Sequence, residues 1–365
     1  MNILVANNQL SATGGTENYT YAIIKELLQL GHDVEYFSFE KGICSDKIDD
    51  LGVPFMSKSY YDLIIANHKP VISYLFQYGF IIQTTHGILP GLEEPSHFAD
   101  HHVCVSRETQ KYLSEMNIQS DIILNGVDCE RFFPGKPINK ELTCVLSLSQ
   151  SEEANEFIGR CCEKTGVEFI KCNRYIENVW EIEKEVNKAD MVIGMGRSLY
   201  DAMACGRTVI SYDRRYGNYS YEGDGYLDKS NLDFSLSYNC TGRGNPRLFT
   251  EEQFIDELKK YKSEDGIFNR EFAVKELNIR KSVENYLDIY KKNNHIQKDR
   301  RLIDCYNEMY DKHYAETEIL KTKIKNLRSE INSLKSSNSW FLTAPLRGIM
   351  RMIKRLKPDI RDSSS

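Results

Sequence analysis

The stretch that decides the fold is residues 189–213, which read Ala-Asp-Met-Val-Ile-Gly-Met-Gly-Arg-Ser-Leu-Tyr-Asp-Ala-Met-Ala-Cys-Gly-Arg-Thr-Val-Ile-Ser-Tyr-Asp. Within it, Met191 to Ile193 form a short apolar run that predicts a buried strand, and Thr208 to Tyr212 predict the next strand. Gly194 and Gly196 lie between the two, where glycine lets the backbone turn sharply and approach a ligand. The unit is therefore expected to run strand, glycine loop, helix, strand.

A short helix is expected after the glycine loop. Ser198 is the predicted N-cap, with Asp201 three residues on as its capping-box partner, and Gly206 stands where a left-handed cap ends a helix. The N-terminus of such a helix presents backbone N–H groups to an anion, usually phosphate, and Arg197 could add a full positive charge. The residues alone leave two interpretations open, a phosphate-binding loop and a plain βαβ corner.

Length and composition indicate a soluble protein of two domains. The chain has 365 residues, 41% of them hydrophobic and 27% charged, as in ordinary globular proteins. Its net charge of −6 argues against nucleic-acid binding. Without a signal-peptide pattern or an apolar run of about 18 residues, the expected location is the cytoplasm, with no membrane-spanning helix. The ten cysteines form no Cys-x-x-Cys pair, so we expect reduced thiols and neither a zinc ribbon nor a redox motif.

Two further candidate loops lie in the first part of the chain. Residues 2–39 predict a βαβ unit, whose glycine loop contains Gly14 and Gly15. His86 directly follows the predicted strand Phe80 to Thr85. Both loops come after strands, where ligands bind in open α/β sheets. A tight turn and an ordinary hydrogen-bonded histidine remain the alternatives.

Several motifs resemble the glycosyltransferase 4-like group of GT-B glycosyltransferases. Asp-Ala-Met-Ala-Cys-Gly-Arg-Thr-Val-Ile, from Asp201, is similar to the signature E-A-M-A-C-G-x-P-V-I, and Gly-Gly-Thr-Glu, from Gly14 to Glu17, is similar to G-G-x-E. Residues 125–134 resemble the segment N-G-V-D-x-x-x-F-x-P. The resemblance implies that Asp201 binds the ribose of a nucleotide-sugar and that His86, rather than the other histidines, lies near the transferred sugar.

The resemblance also implies an architecture. The expected fold is α/β of the GT-B type, with two Rossmann-like domains around a cleft and a C-terminal helical tail. A helical pattern over residues 272–290 is expected to cross back onto the first domain. The predicted domains are an N-terminal, acceptor-side domain (1–136), a C-terminal domain for the nucleotide-sugar (137–295), a helical or short coiled-coil segment (296–337) and a basic amphipathic tail (338–365).

The chain departs from the family at the diphosphate. Members of the group have a Gly-Arg and then a Lys-Gly after the first strand of the second domain, whereas this chain has the acidic Ser-Leu-Ser-Gln-Ser-Glu-Glu at residues 147–153. Arg197 is the best replacement, since a guanidinium matches phosphate geometry. The predicted donor-binding residues are thus Gly194, Gly196, Arg197, Ser198 and Asp201. The predicted catalytic residues are His86 and Arg197. No metal or other cofactor is expected.

The tail predicts two contacts of its own. Leu320, Ile324, Leu327, Ile331 and Leu334 alternate at spacings of four and three, which predicts a heptad helix for a second copy or a transferase partner, or else a lone surface helix. The segment from residue 339 is apolar on one face and basic on the other, which favours an anionic membrane surface, with a partner-binding helix as the alternative. It also resembles the tails of bacterial polysaccharide and O-antigen glycosyltransferases.

Together these patterns predict a hexosyltransferase, peripheral on the inner face of the cell membrane, that moves a sugar from a nucleotide-sugar to a lipid-linked or growing polysaccharide. The resemblance favours retention of anomeric configuration. Two other classes stay open. One is a non-catalytic GT-B scaffold that pairs with an active transferase, which the altered diphosphate loop favours. The other is a GT-B sugar-nucleotide epimerase, which would need no membrane tail.

Overall fold

The computed structural model describes residues 1–89, 91–173, 179–214 and 221–294, and in the tail residues 309, 317, 320, 321, 323–331 and 333. The chain divides into two compact units, Met1–Gln297 and Lys298–Ser365. The first unit contains two separate β-sheets, and the predicted domain boundary at residue 136 lies between them.

The first sheet is parallel throughout, as its βαβ pattern predicts. Its strands in the described residues are β1 (Asn2–Gln9), β2 (Asp33–Glu40), β3 (Tyr61–Asn67), β4 (Gly79–Thr85), β5 (His101–Cys104) and β6 (Asp121–Ile122). Helices α1 (Gly15–Gln29), α2 (Ile43–Asp49), α3 (Lys69–Leu75) and α4 (Arg107–Glu115) connect them. The strand order is β2-β1-β3-β4-β5-β6, so β1 pairs with β2 on one side and β3 on the other. The loops after β1 and β3 therefore flank the crevice where such sheets bind ligands.

The second sheet is parallel except at one edge. Its strands in the described residues are β7 (Cys144–Ser147), β8 (Glu168–Lys171), β9 (Met191–Gly194), β10 (Thr208–Ser211) and β11 (Gly225–Leu227). Helices on this half are α5 (Glu152–Thr165), α6 (Ile182–Val186), α7 (Arg197–Ala204), α8 (Leu232–Ser237) and α9 (Glu251–Leu258). The order is β11-β10-β9-β7-β8, with β11 antiparallel to β10. The predicted strand, glycine loop, helix and strand of residues 189–213 are thus confirmed as β9, α7 and β10.

The pattern over residues 272–290 forms parts of two helices rather than one. They are α10 (Ser263–Glu276) and α11 (Ile279–Asn293). The break occurs because Asn278 is extended. The Val127 N–H donates to the Leu277 carbonyl at 2.6 Å, and the Val127 carbonyl accepts a hydrogen bond from the Ile279 N–H at 2.9 Å. A residue that pairs in this way cannot continue the helical ladder.

Helix α11 crosses back onto the first sheet, as expected. Its inward face, made of Ile279, Val283, Tyr286, Leu287 and Ile289, belongs to the same apolar core as β1, α1 and β3. The Tyr286 hydroxyl lies 2.7 Å from Thr84 Oγ1 and 3.1 Å from the Tyr19 hydroxyl. Buried tyrosines need such partners, because an unpaired hydroxyl in a core is costly. The C-terminal helix of the first unit therefore holds its two halves together.

The tail is helical over residues 323–331. Leu320, Ile324, Leu327 and Ile331 are between 47% and 57% exposed, and Leu334 and the basic segment from residue 338 lie outside the described residues. Among the described residues, none of the helices is both long and apolar enough to cross a bilayer. The nine cysteines that the structure describes are free and buried.

Candidate functional site

A cavity of about 450 Å³ lies between the two halves of the first unit. Its walls bring together most of the predicted site residues, namely Gly14, Gly15, Glu17, His86, Gly196, Arg197, Ser198 and Asp201. Gly194 is not among the described lining residues, because it is the last residue of β9 and packs against Ser198. Loops from both sheets thus converge on one site, as the strand order implies.

Arg197 is a fixed group rather than a free loop cation. It opens α7, and its side chain is only 8% exposed. Nη1 donates to the Gly126 carbonyl at 2.6 Å, and Nε lies 3.6 Å from Asp201 Oδ1. The guanidinium also lies 5.8 Å from the centre of the Tyr19 ring on the first half. Arg197 therefore joins the glycine loop, the segment between the two sheets and the first half.

Asp201 is held beside Arg197 one helical turn further on. Burial raises the pKa of its carboxyl, and the positive charge of Arg197 opposes that rise. Neither Asp201 Oδ1 nor Arg197 Nε has a hydrogen-bond partner among the described residues. These two atoms are buried and lie 3.6 Å from each other, so they form an ion pair on the cavity wall without a direct hydrogen bond.

The predicted N-cap at Ser198 is wrong. The cap residue of α7 is Gly196, with φ +60°, and Ser198 lies inside the helix, where its hydroxyl donates to the Met195 carbonyl at 2.9 Å. A side chain is disfavoured at that φ, so glycine is required where the helix begins. The Gly196 N–H donates to the Cys240 carbonyl at 3.3 Å, so it does not face the cavity as an anion donor. Gly206, with φ +70°, is the left-handed residue after α7, as predicted.

His86 is held by two asparagines. Its Nδ1 lies 3.0 Å from Asn125 Oδ1 and its Nε2 lies 3.0 Å from Asn67 Oδ1. Burial lowers the pKa of the imidazole to about 3, so it is neutral at physiological pH. Each ring nitrogen faces an amide oxygen, and because a neutral imidazole carries one proton, it donates to one of the two asparagines at a time. The ring is therefore a fixed polar group at the cavity wall.

Glu93 and His68 form a second group on the same wall that sequence analysis did not select. Glu93 Oε2 accepts a hydrogen bond from the backbone N–H of His86 at 2.7 Å. Glu93 Oε1 lies 3.7 Å from His68 Nε2. Burial raises the pKa of the Glu93 carboxyl to about 7, against the opposing hydrogen bonds from backbone N–H groups. His68 is buried at φ +73°, an uncommon conformation for a non-glycine residue. The first half thus supplies a carboxyl that titrates near neutral pH.

The loop after β7 contains neither the arginine nor the lysine that the glycosyltransferase 4-like group has there. The Ser149 hydroxyl donates to Asp213 Oδ1 at 2.5 Å, and the Ser147 hydroxyl donates to Asn155 Oδ1 at 2.7 Å. The loop is therefore tied by its own polar side chains. Among the described residues, two arginines, Arg197 and Arg243, line the cavity, and none of the described lining residues is a lysine.

No protein-family model and no curated protein matches the chain. Among solved structures, the catalytic domain of starch synthase IV from Arabidopsis thaliana, bound to ADP and acarbose, is similar with a TM-score of 0.51 and 10% identity over 81% of this chain and 99% of that one. An alpha-glucosyltransferase in complex with UDP and a 13-mer DNA is similar with a TM-score of 0.50 and 12% identity. The match covers 80% of this chain and 99% of that one. This chain has the GT-B fold. At such identities the likeness concerns the fold alone.

The GT-B cleft is also bridged by an ion pair between the halves. Arg243, which follows α8, donates through Nε to both carboxylate oxygens of Glu108 in α4, at 2.8 and 2.9 Å. The two side chains are 11% and 13% exposed. Neither residue stood out in the sequence, since 135 positions separate them and each lies outside a recognisable motif. Asn125 and Gly126, which bind His86 and Arg197, lie in the N-G-V-D segment, to which sequence analysis assigned no role at the site.

Proposed function

We propose that this protein is a glycosyltransferase that moves a sugar from a nucleotide-sugar donor to a lipid-linked or growing polysaccharide acceptor. The observation that carries the proposal is the ion pair of Arg197 with Asp201 on the wall of the cleft, directly after the glycine loop that precedes α7. A donor and an acceptor side by side suit a ligand that combines anionic and hydroxyl groups. A nucleotide-sugar is such a ligand, and solved structures of similar fold are described with bound ADP or UDP.

The charged and polar residues predicted at the two walls of the cleft have separate roles in this proposal. Asp201 accepts hydrogen bonds from the ribose hydroxyls. Arg197 and the N-terminus of α7 stabilise the charge that develops on the leaving diphosphate, which is usually the largest contribution to such a reaction. His86 and the loop Gly14–Glu17 face the sugar from the other side of the cleft. We propose that no metal ion is needed, because Arg197 takes the role of the counter-charge.

The stereochemical course and the location follow from the resemblance and the tail. We propose transfer with retention of anomeric configuration, as the motif at Asp201 favours. We further propose that the protein works in the cytoplasm, at the inner face of the cell membrane, through the basic amphipathic segment 338–365. The exposed apolar positions of the tail helix would then serve a second copy or a transferase partner.

One observation favours a second candidate, a non-catalytic GT-B scaffold. The loop after β7 is acidic and internally hydrogen-bonded, so the usual diphosphate ligands are missing from it. A scaffold of this kind would not bind nucleotides. The epimerase alternative would bind nucleotides but would need no acceptor.

Nucleotide binding separates the candidates. Thermal unfolding would be followed with UDP, ADP, GDP, CDP and dTDP for the wild type, Asp201→Ala and the control Asp233→Ala, which changes an exposed carboxylate of α8. At about 100 times Kd a ligand stabilises the folded state by about 2.7 kcal/mol, which gives a measurable rise in Tm. We expect one nucleotide to raise the Tm of the wild type and the control but not of Asp201→Ala. No rise with any nucleotide would favour the scaffold.

A further inference from the structure

The cleft offers a nucleoside diphosphate little positive charge that is not already paired with a carboxylate. The described lining includes three carboxyl groups, from Glu17, Glu93 and Asp201, and two guanidinium groups, from Arg197 and Arg243. Both guanidiniums already have carboxylate neighbours: Arg197 lies near Asp201, and Arg243 binds Glu108. A diphosphate carries two or more negative charges, and buried anions need paired cations. A cation must therefore change partner when the ligand binds.

Arg243 is the cation that can change partner. Arg197 is held by a hydrogen bond to the Gly126 carbonyl, which a phosphate would not displace, since that carbonyl would lose its donor. Arg243 is held by a carboxylate, and two oxygens of a phosphate group offer the same bidentate geometry to a guanidinium. The exchange replaces one charge-assisted pair with another.

The backbone that presents Arg243 is firmly placed at the cleft. Asn239, Cys240 and Gly242 have φ values of +54°, +51° and +77°, and a run of left-handed residues persists only where the surroundings enforce it. The Cys240 carbonyl accepts the Gly196 N–H, and the Asp224 carboxylate accepts the Gly242 N–H at 3.2 Å. The loop is thereby fastened to the glycine loop that precedes α7. A change of partner at Arg243 would therefore involve its side chain and not its backbone.

We infer that Arg243 is a second ligand for the donor's diphosphate and that Glu108 competes with the diphosphate for it. This inference rests on the proposed function. Arg243 supplies the positive charge that the acidic loop after β7 lacks. It also makes Glu108 a specificity-determining residue: a ligand must carry enough negative charge to displace its carboxylate, so a nucleoside alone gains nothing from Arg243.

The test is a double-mutant cycle on nucleotide affinity, measured by calorimetry on the full chain. The probe is the nucleoside diphosphate that binds the wild type, chosen from UDP, ADP, GDP, CDP and dTDP, and the reference ligand is the matching nucleoside. Glu108→Gln should bind the diphosphate about five- to tenfold more tightly, and Arg243→Gln about tenfold more weakly. In the Arg243→Gln background, Glu108→Gln should have no effect. Nucleoside affinity should not change in any variant.

A purely structural tie between the halves predicts a different pattern. Both single variants would then change affinity in the same direction, and either that result or unchanged affinity in Glu108→Gln would overturn the inference while the proposed function stands. A gain in Glu108→Gln that persists without Arg243 would also overturn it, since removal of a nearby negative charge would suffice. Glu251→Gln, which removes a carboxylate paired with Arg160 and Lys164, is the matched control and should leave affinity unchanged.

Two failures remain interpretable. If Arg243→Gln does not fold, as judged by circular dichroism, Arg243→Lys replaces it and should still weaken diphosphate binding, because an ammonium cannot form the bidentate contact. If no nucleoside diphosphate binds the wild type, both the proposed function and this inference are wrong.

Discussion

Arg197 Nη1 lies 2.6 Å from the carbonyl oxygen of Gly126, although the two residues belong to different parts of the fold. Gly126 lies in the segment that follows the first sheet, and Arg197 opens α7 in the second half. The hydrogen bond is buried, and the same guanidinium is close to Asp201 and to the Tyr19 ring. One side chain thus fixes the geometry of the cleft and contributes to its charge.

Replacement of Arg197 should therefore reduce stability as well as ligand binding. Arg197→Ala leaves Asp201 as a buried carboxyl without its cation, and the Gly126 carbonyl without its donor. We expect the free energy of unfolding to fall by about 3 kcal/mol, measured by urea denaturation. Arg160→Ala, which removes an exposed arginine paired with Glu251, is the control and should have a smaller effect. Equal effects in the two variants would contradict the role assigned to Arg197.

His86 should remain neutral far below the usual pH. Burial lowers the pKa of its imidazole from 6.5 to about 3, so its ring resonances in nuclear magnetic resonance spectra should not titrate between pH 5 and 8. The unfolded chain takes up this proton below about pH 6.5, and the folded chain does not. The free energy of unfolding therefore falls as pH falls below about 6.5, because of His86. The His86→Gln variant should lack this contribution to the pH dependence of stability. A midpoint near 6.5 for His86 would contradict the buried, asparagine-bound ring.

Glu93 should show the opposite dependence. Burial raises the pKa of its carboxyl from 4.5 to about 7, so the folded state binds the proton more tightly than the unfolded state does. The stabilisation is fully present below about pH 4.5 and is lost as pH rises through 7. The stability of the wild type relative to Glu93→Gln, from unfolding curves at several pH values, should fall between pH 5 and 8. A difference that does not vary with pH would show that Glu93 titrates normally.

The basic tail should bind anionic vesicles. Each basic residue near such a surface contributes about 1 kcal/mol, so reversal of Arg347, Arg351, Lys354 and Arg355 to glutamate should abolish co-sedimentation with phosphatidylglycerol vesicles. Binding to neutral phosphatidylcholine vesicles should be weak in all forms, and added salt should weaken the anionic binding. If a chain without residues 314–365 binds anionic vesicles as well as the full chain does, the tail is not a membrane contact.

The sequence predicted the sheets and the order of the elements around the site because these depend on local patterns. The apolar run Met191–Ile193, the glycines and the apolar face of α11 each specify their element within a few residues. The predicted N-cap of α7 was wrong because Gly196, two residues before Ser198, caps the helix, and serine and glycine both occur at caps.

The long-range pairs of the cleft could not be predicted in the same way. Glu93 lies in an irregular loop, and its high pKa arises from burial that only the folded chain creates. Arg243 and Glu108 meet because the two halves pack together, and neither residue has a motif that marks it. The acidic loop after β7 led to the prediction that Arg197 supplies the positive charge for a diphosphate.

The most direct test of the account is acceptor-dependent release of nucleoside diphosphate. Purified full-length protein would be incubated with a panel of nucleotide-sugars, with and without the lipid-linked glycans of its source cells, and the released diphosphate would be measured. We expect one nucleotide-sugar to give release that requires the glycans and is lost in Asp201→Ala but kept in Asp233→Ala. Release from none of the panel in the presence of those glycans, by a protein that binds the nucleotide, would contradict the account.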